Sequence, residues 1–225
     1  RARQRTTVDK DPPIGSAVGA TLGLLAFLLA FTFGMAASRF ETRKQMVLQE
    51  ANAIGTTYLR ADFLPEPQRS AVRNTLRAYA ALHSRGVTEL LTPKDITQTA
   101  QLQDQLWADA VTVSAQGDSI KVALFVESLN ELIDMDSNRV TAGRNRIADS
   151  IWYALLGVTI LAMAAMGYQF GLTGQRSWAV TVLMTMVFTA VITMIADLDR
   201  PQGGTLQVSQ QAILDVISRI GAPTP

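Results

Sequence analysis

Apolar and small residues run from Ile14 to Ser38 without a Lys, Arg, Asp or Glu, and the same holds for Ile151 to Thr173 and Trp178 to Ala196. Each stretch matches the roughly 20 apolar residues that a helix needs to cross a bilayer. The first does not stop at its apolar end. It passes into RFETRKQMVLQE and then EANAIGTTYLRA with no proline or glycine cluster between, so one helix is expected to continue to about residue 61. The change from apolar to charged at Arg39 then marks an exit from the membrane, and the helix beyond it must pack on something other than lipid.

Between the first two spans the pattern is helical throughout. Leu64-Pro-Glu-Pro interrupts it, since neither proline has an N–H to donate and each disfavours helix in the residue before it. Glu66 to Ser84 resumes with Val72, Leu76, Tyr79, Ala80 and Leu82 at helical spacing, and Gly86 is its expected stop. Thr92 followed by Pro93 reads as an N-cap and first helical position for a helix reaching about Gln116. After Gly117-Asp-Ser, a last helix starts near Ser119 and is expected to run through Asn145 into the second span, Gly143 being too weak a breaker to stop it. The short Gly174-Gln-Arg-Ser linker makes the second and third spans an antiparallel hairpin, with Trp152, Tyr153, Tyr168 and Trp178 near the interfaces. Past Asp197-Leu-Asp-Arg-Pro-Gln-Gly-Gly, Val208 to Ile220 reads as an amphipathic helix that packs on the helical domain or on a neighbouring subunit. The fold class is all-α: an integral membrane helical bundle whose long helices extend into a cytoplasmic helical domain. Its segments are 1–13, juxtamembrane; 14–38, a span continuing to about 61; 39–150, cytoplasmic; 151–173 and 178–196, spans; and 197–225, a turn and terminal helix.

Composition agrees with the membrane class: of 225 residues, 48% are hydrophobic and 17% charged. The net charge of +1 is spread around the spans and forms no nucleic-acid patch. Lys and Arg near the span ends give the orientation. Arg1, Arg3, Arg5, Lys10 and Arg176 fall on one side, and Arg39, Arg43, Lys44, Arg139, Arg144, Arg146 and Arg200 on the other, so residues 39–150 and the C-terminus are placed in the cytoplasm. The sequence begins Arg1-Ala-Arg-Gln-Arg without a Met, and an upstream segment with a further span is expected.

Chemistry of the enzymatic kind is absent from the sequence. There is no Cys, hence no disulfide, thiolate metal site or Cys nucleophile. His83 is the one histidine and has no carboxylate motif at ligand spacing; it reads as a surface or hydrogen-bonded residue. Glu127, Glu131 and Asp134, with Asp136 close by, line an acidic helix face whose expected partners are Arg139 and Arg144. No phosphate-cradling lysine motif, dinucleotide glycine fingerprint or nucleophile elbow occurs. No catalytic residue, metal or cofactor is expected, and the chain does not read as an enzyme.

The first span carries one further pattern. Gly15, Gly19 and Gly23 recur every four residues and Phe27 and Phe31 continue the row, which drifts about 40° per step. The glycines suit either close helix contact, the commoner use of such a motif, or an open vestibule. The phenylalanines could form an apolar constriction if several helices surrounded an axis.

Ala30-Phe31-Thr-Phe-Gly-Met-Ala-Ala-Ser-Arg39-Phe40-Glu-Thr-Arg43-Lys44, followed by Ala51-Asn52-Ala53, resembles the pore-helix signature of bestrophins. Asp197-Leu-Asp199-Arg-Pro201-Gln-Gly203 resembles the segment after their last span. Together with EANAIGTTYLRADFLPEP, these blocks are most similar to the bacterial bestrophin-like membrane proteins. The resemblance implies a pentameric anion channel of the bacterial inner membrane, with the lipid bilayer, further copies of the chain and small inorganic ions as its partners. Gly23, Phe27 and Phe31 would form its neck, Arg39, Arg43 and Lys44 a basic collar, Gly15 and Gly19 a packing stripe, and Asp197, Asp199, Pro201 and Gly203 the post-membrane turn. Departures stand at Glu41 and Gln202, where the family has aromatics. Thr205, Leu206, Gln207 and Val208 replace the acidic residues of calcium-gated members, which argues against calcium gating. A non-conducting membrane scaffold and a cation channel are the alternative readings.

Overall fold

The computed structural model describes residues 14–85, 92–117, 119–173, 178–200 and 204–221. Gly86, Arg176, Pro201, Gly203, the 174–177 linker and residues 1–13 lie outside the described residues, as do the expectations that rest on them. Among the described residues the secondary structure is helical: α1 (Ile14–Arg60), α2 (Gln68–Arg85), α3 (Pro93–Ser114), α4 (Ile120–Arg144), α5 (Asp149–Thr173), α6 (Trp178–Asp199) and α7 (Gln211–Ile220), with one 3-10 turn at Ala61–Phe63. Three helical stretches among them are long and apolar enough to cross a membrane.

Helix α1 is continuous over 47 residues, as the absence of a breaker at Arg39 leads one to expect. It ends where the prolines require. Leu64, the residue before Pro65, takes the extended conformation (ψ 148°) that a following proline favours. The expected start of α3 is also present: Thr92 Oγ1 accepts from the Asp95 N–H, the Asp95 carboxylate accepts from the Thr92 N–H, and Pro93 occupies the first turn.

One expectation fails. Helix α4 passes Gly143 but stops at Arg144, and α5 begins only at Asp149, so no single helix joins them. Asn145 is extended (ψ 106°), its side chain is bound by Arg39 Nη1 at 3.2 Å, and the buried Ile147 N–H donates to Asp199 Oδ1 at 2.9 Å. The Asp199 carboxylate satisfies a backbone donor that helical continuation would have satisfied, and it comes from a residue far away in sequence.

The contacts divide the chain into two compact units. In the first, residues 14–37 and 147–199, α1 buries Val18, Leu25, Leu29, Thr32 and Ala36, at spacings that hold one face of a helix. Threonines are tolerated in this apolar unit because their hydroxyls donate back to their own helix: Thr21 to Ala17, Thr32 to Leu28, Thr159 to Leu155 and Thr185 to Thr181, at 2.7–2.9 Å. No polar hydrogen of these groups is then left facing lipid.

The second unit, residues 38–146 and 200–221, has an ordinary apolar core. Val47, Ile54 and Tyr58 of α1 meet Val72, Leu76 and Tyr79 of α2, Leu106 and Val113 of α3, Phe125, Leu129 and Leu132 of α4, and Ile213 and Ile217 of α7. The amphipathic terminal helix thus packs within its own unit. Gly221, in the left-handed conformation (φ 66°), ends it, and Arg77 Nε donates to the Ile220 carbonyl at 2.8 Å.

Candidate functional site

Within the first unit, the face of α1 opposite its buried stripe is open. Phe27 and Phe31 are exposed, with rings stacked at 6.5 Å between centroids and 17° between planes. A Cβ built on Gly19 or Gly23 would meet nothing within 4 Å, so neither glycine is spent on close contact among the described residues. Gly15 differs: a Cβ there would come within 3.2 Å of Gln169 Nε2 on α5. The row therefore divides into one packing position and a four-residue-spaced series, Gly19, Gly23, Phe27 and Phe31, that no other described helix covers.

The basic residues after the apolar stretch have separate fates. Arg39 holds Asn145, Arg43 is buried, and Lys44 lies 3.7 Å from Glu41 on the exposed side of the helix. Asp199 is buried and accepts from Ile147, while Asp197 is partly buried. The acidic face of α4 is paired differently from expectation. Glu127 meets Arg60 at 3.3 Å, Asp136 accepts from Gln103 Nε2 at 3.0 Å, and Arg139 turns to Glu50 rather than to its own helix. A helix face read in one dimension cannot show a partner on another helix.

The second unit also encloses a polar cluster that joins α1, α2, α3, α4 and the segment before α7. Glu50 of α1 is fully buried; its carboxylate accepts from Arg139 of α4 and sits with Oε1 2.5 Å from His83 Nδ1 of α2. The other ring nitrogen, Nε2, is 3.3 Å from Thr99 Oγ1 of α3 and 3.8 Å from Asp136 Oδ1 of α4. Arg139 Nη2 reaches Gln210, the residue before α7, at 3.4 Å. The Tyr79 ring stacks on the imidazole at 4.2 Å. Burial would raise the Glu50 carboxyl, but the hydrogen bond and charge of His83, joined by Arg139, outweigh it and hold the group below its ordinary value. Burial, and then the negative charges of Glu50 and Asp136, push the Tyr79 phenol well above its usual range.

Glu50, His83 and Asp136 bring one ligand atom each to within 4.8 Å of one another. A divalent ion there would compete with a guanidinium that already holds Glu50 and lies 3.4 Å from His83 Nδ1, so the set is better matched to a proton than to a metal. The sequence carried one signal for this cluster. Val47, Ala51, Ile54 and Tyr58 mark the buried face of α1, and Glu50 falls on it, a carboxylate where burial demands a partner.

Solved structures share the helical architecture. A bacterial bestrophin homologue from Klebsiella pneumoniae, solved by Zn-SAD phasing, superposes with a TM-score of 0.72 at 15% identity, covering 91% of this chain and 85% of its own. A single-substitution variant of the Klebsiella pneumoniae homologue gives 0.71 over the same shares at 15% identity. A further membrane protein, also a single-substitution variant, gives 0.72 at 15% identity, covering 93% of this chain and 88% of its own. No curated protein matches the sequence. The family model described as the Bestrophin-like domain matches residues 1–213, and with the open apolar face on a helix of this length the conclusion is direct: the chain is a membrane protein of the Bestrophin-like family.

Proposed function

We propose that the protein is an oligomeric ion channel in which α1 lines the conduction path, with Gly23, Phe27 and Phe31 at a hydrophobic neck. The observation that carries this reading is the uncovered row from Gly19 to Phe31, glycines with open space followed by stacked, exposed rings. Copies of such a helix around an axis would set rings of phenylalanine one turn apart, and apolar constrictions of this kind control permeation by dewetting. Several copies, five by analogy with bestrophins, would close the ring with cyclic symmetry.

Anion conduction fits the basic residues that follow the neck, since clustered charge beside low-dielectric walls concentrates counter-ions. Their geometry favours Arg39 over the other two: Arg43 is buried, and Lys44 has an acidic neighbour in Glu41. The bacterial inner membrane, with residues 39–150 and the C-terminus in the cytoplasm, is the matching setting. The test is reconstitution of the full chain in planar bilayers. Wild type or the Phe27→Ala, Phe31→Ala double variant passes a small anion, the double variant the more readily. Silence from both overturns the reading in favour of a non-conducting scaffold, and a cation-selective reversal potential overturns the choice of ion.

A further inference from the structure

His83 is the chain's one histidine, it is buried, and the channel reading gives it no task. Glu50 of α1, Thr99 of α3, and Asp136 and Arg139 of α4 face its ring nitrogens, and Tyr79 of its own helix stacks on the ring. Gln103 of α3 and Gln210, before α7, hold Asp136 and Arg139 in turn.

Both ring nitrogens face acidic groups: Glu50 Oε1 lies 2.5 Å from Nδ1, and Asp136 Oδ1 lies 3.8 Å from Nε2, with Thr99 Oγ1 at 3.3 Å from the same nitrogen. A neutral ring carries one N–H and a charged ring two. With the ring neutral, the cluster holds two carboxylates against the single guanidinium of Arg139. With the ring charged, each nitrogen carries a hydrogen, and two negative charges meet two positive ones. In a buried site such a balance has a large effect on packing, because low dielectric strengthens both the attraction and the penalty for an unmatched charge.

We propose that His83 is a proton-binding site that couples pH to the packing of α2 against α1, α3 and α4, protonation of its ring closing the cluster and deprotonation loosening it. Arginine keeps its charge throughout, so of the two basic groups on the Glu50 carboxylate His83 is the one that can change.

The full chain in detergent allows a direct test by mass spectrometry. Exchange of the histidine C2 hydrogen reports ring protonation, and with one histidine in the chain the signal belongs to His83 alone. Stepping pH across the range in which the protein stays folded, the C2 exchange rate should show an inflection. Amide exchange in α2 and in the second half of α4, corrected for intrinsic rates, should slow on the order of tenfold toward the acid side of the same inflection, a tenfold change corresponding to coupling of one pKa unit. His83→Gln should remove that amide dependence. No inflection, an inflection without an amide change, or the same amide change in His83→Gln would each overturn the proposal. Should the variant not fold, the two wild-type profiles decide by their coincidence or its absence.

Discussion

Arg139 and Glu50, 89 residues apart in the chain, form an ion pair in which the carboxylate is fully buried. The pair joins α1 to α4 and draws in His83, so that α1 is fixed in the second unit by charge as well as by the apolar face of Val47, Ile54 and Tyr58.

Replacing Glu50 by Ala strands a largely buried guanidinium and a fully buried imidazole. Breaking one partner of a buried pair typically costs about 3–5 kcal/mol, and the variant is expected to lose that much in denaturant unfolding of the detergent-solubilised protein. Glu50→Gln, which keeps the shape and one acceptor, should lose less.

The same carboxyl sets an acid limit. Its folded pKa lies below the ordinary value, so the stability it contributes is complete above the unfolded value, about 4.3 for Glu, and disappears as pH falls through the folded one. A melting profile against pH should therefore fall on the acid side of about pH 5, and Glu50→Gln should flatten that limb.

Gly19 and Gly23 separate contact from conduction. Neither has an atom near a built Cβ, so Gly23→Ala should leave the protomer's thermal stability unchanged or raised by up to about 1 kcal/mol, the helix preference of alanine over glycine. If α1 lines an axial path, single-channel conductance changes while the oligomer stays intact by native mass spectrometry. Dissociation of the oligomer would assign the glycine to contact between copies.

Asp199 accepts from the buried Ile147 N–H at 2.9 Å, in the stretch where α4 and α5 separate. Asp199→Ala leaves that donor without its partner and should cost about 1–3 kcal/mol, read as faster amide exchange around Ile147. Asp199→Asn retains an acceptor and should lie between wild type and alanine.

Tyr58 carries two cations and a hydrogen bond. Arg73 and Arg77 lie over its ring at 4.8 and 5.4 Å, and Arg77 Nη2 donates to its hydroxyl at 2.6 Å. Tyr58→Phe should cost about 1 kcal/mol for the hydrogen bond and Tyr58→Ala about 3–5 kcal/mol for the ring, both measurable by chemical denaturation.

Periodicity and breakers are local properties, and they were enough to find three helical stretches long and apolar enough to cross a membrane, the unbroken run of α1 past Arg39, its end at Leu64-Pro65 and the Thr92 cap. The row from Gly15 to Phe31 was legible for the same reason, since residues four apart share a helix face whatever surrounds them. Its division was not legible: that Gly15 meets Gln169 while Gly19 and Gly23 meet nothing depends on where α5 lies.

What sequence alone determined about this protein is its helices, its membrane class and, through the residues around Arg39 and Asp199, its family, because these follow from spacing along one chain. Tertiary structure decided the rest: the break at Asn145, the burial of Arg43, and the choice of Glu50 rather than an α4 neighbour as the partner of Arg139. A charge buried by folding takes whichever opposite charge the packing brings within reach, and no spacing rule along the chain specifies which one that is.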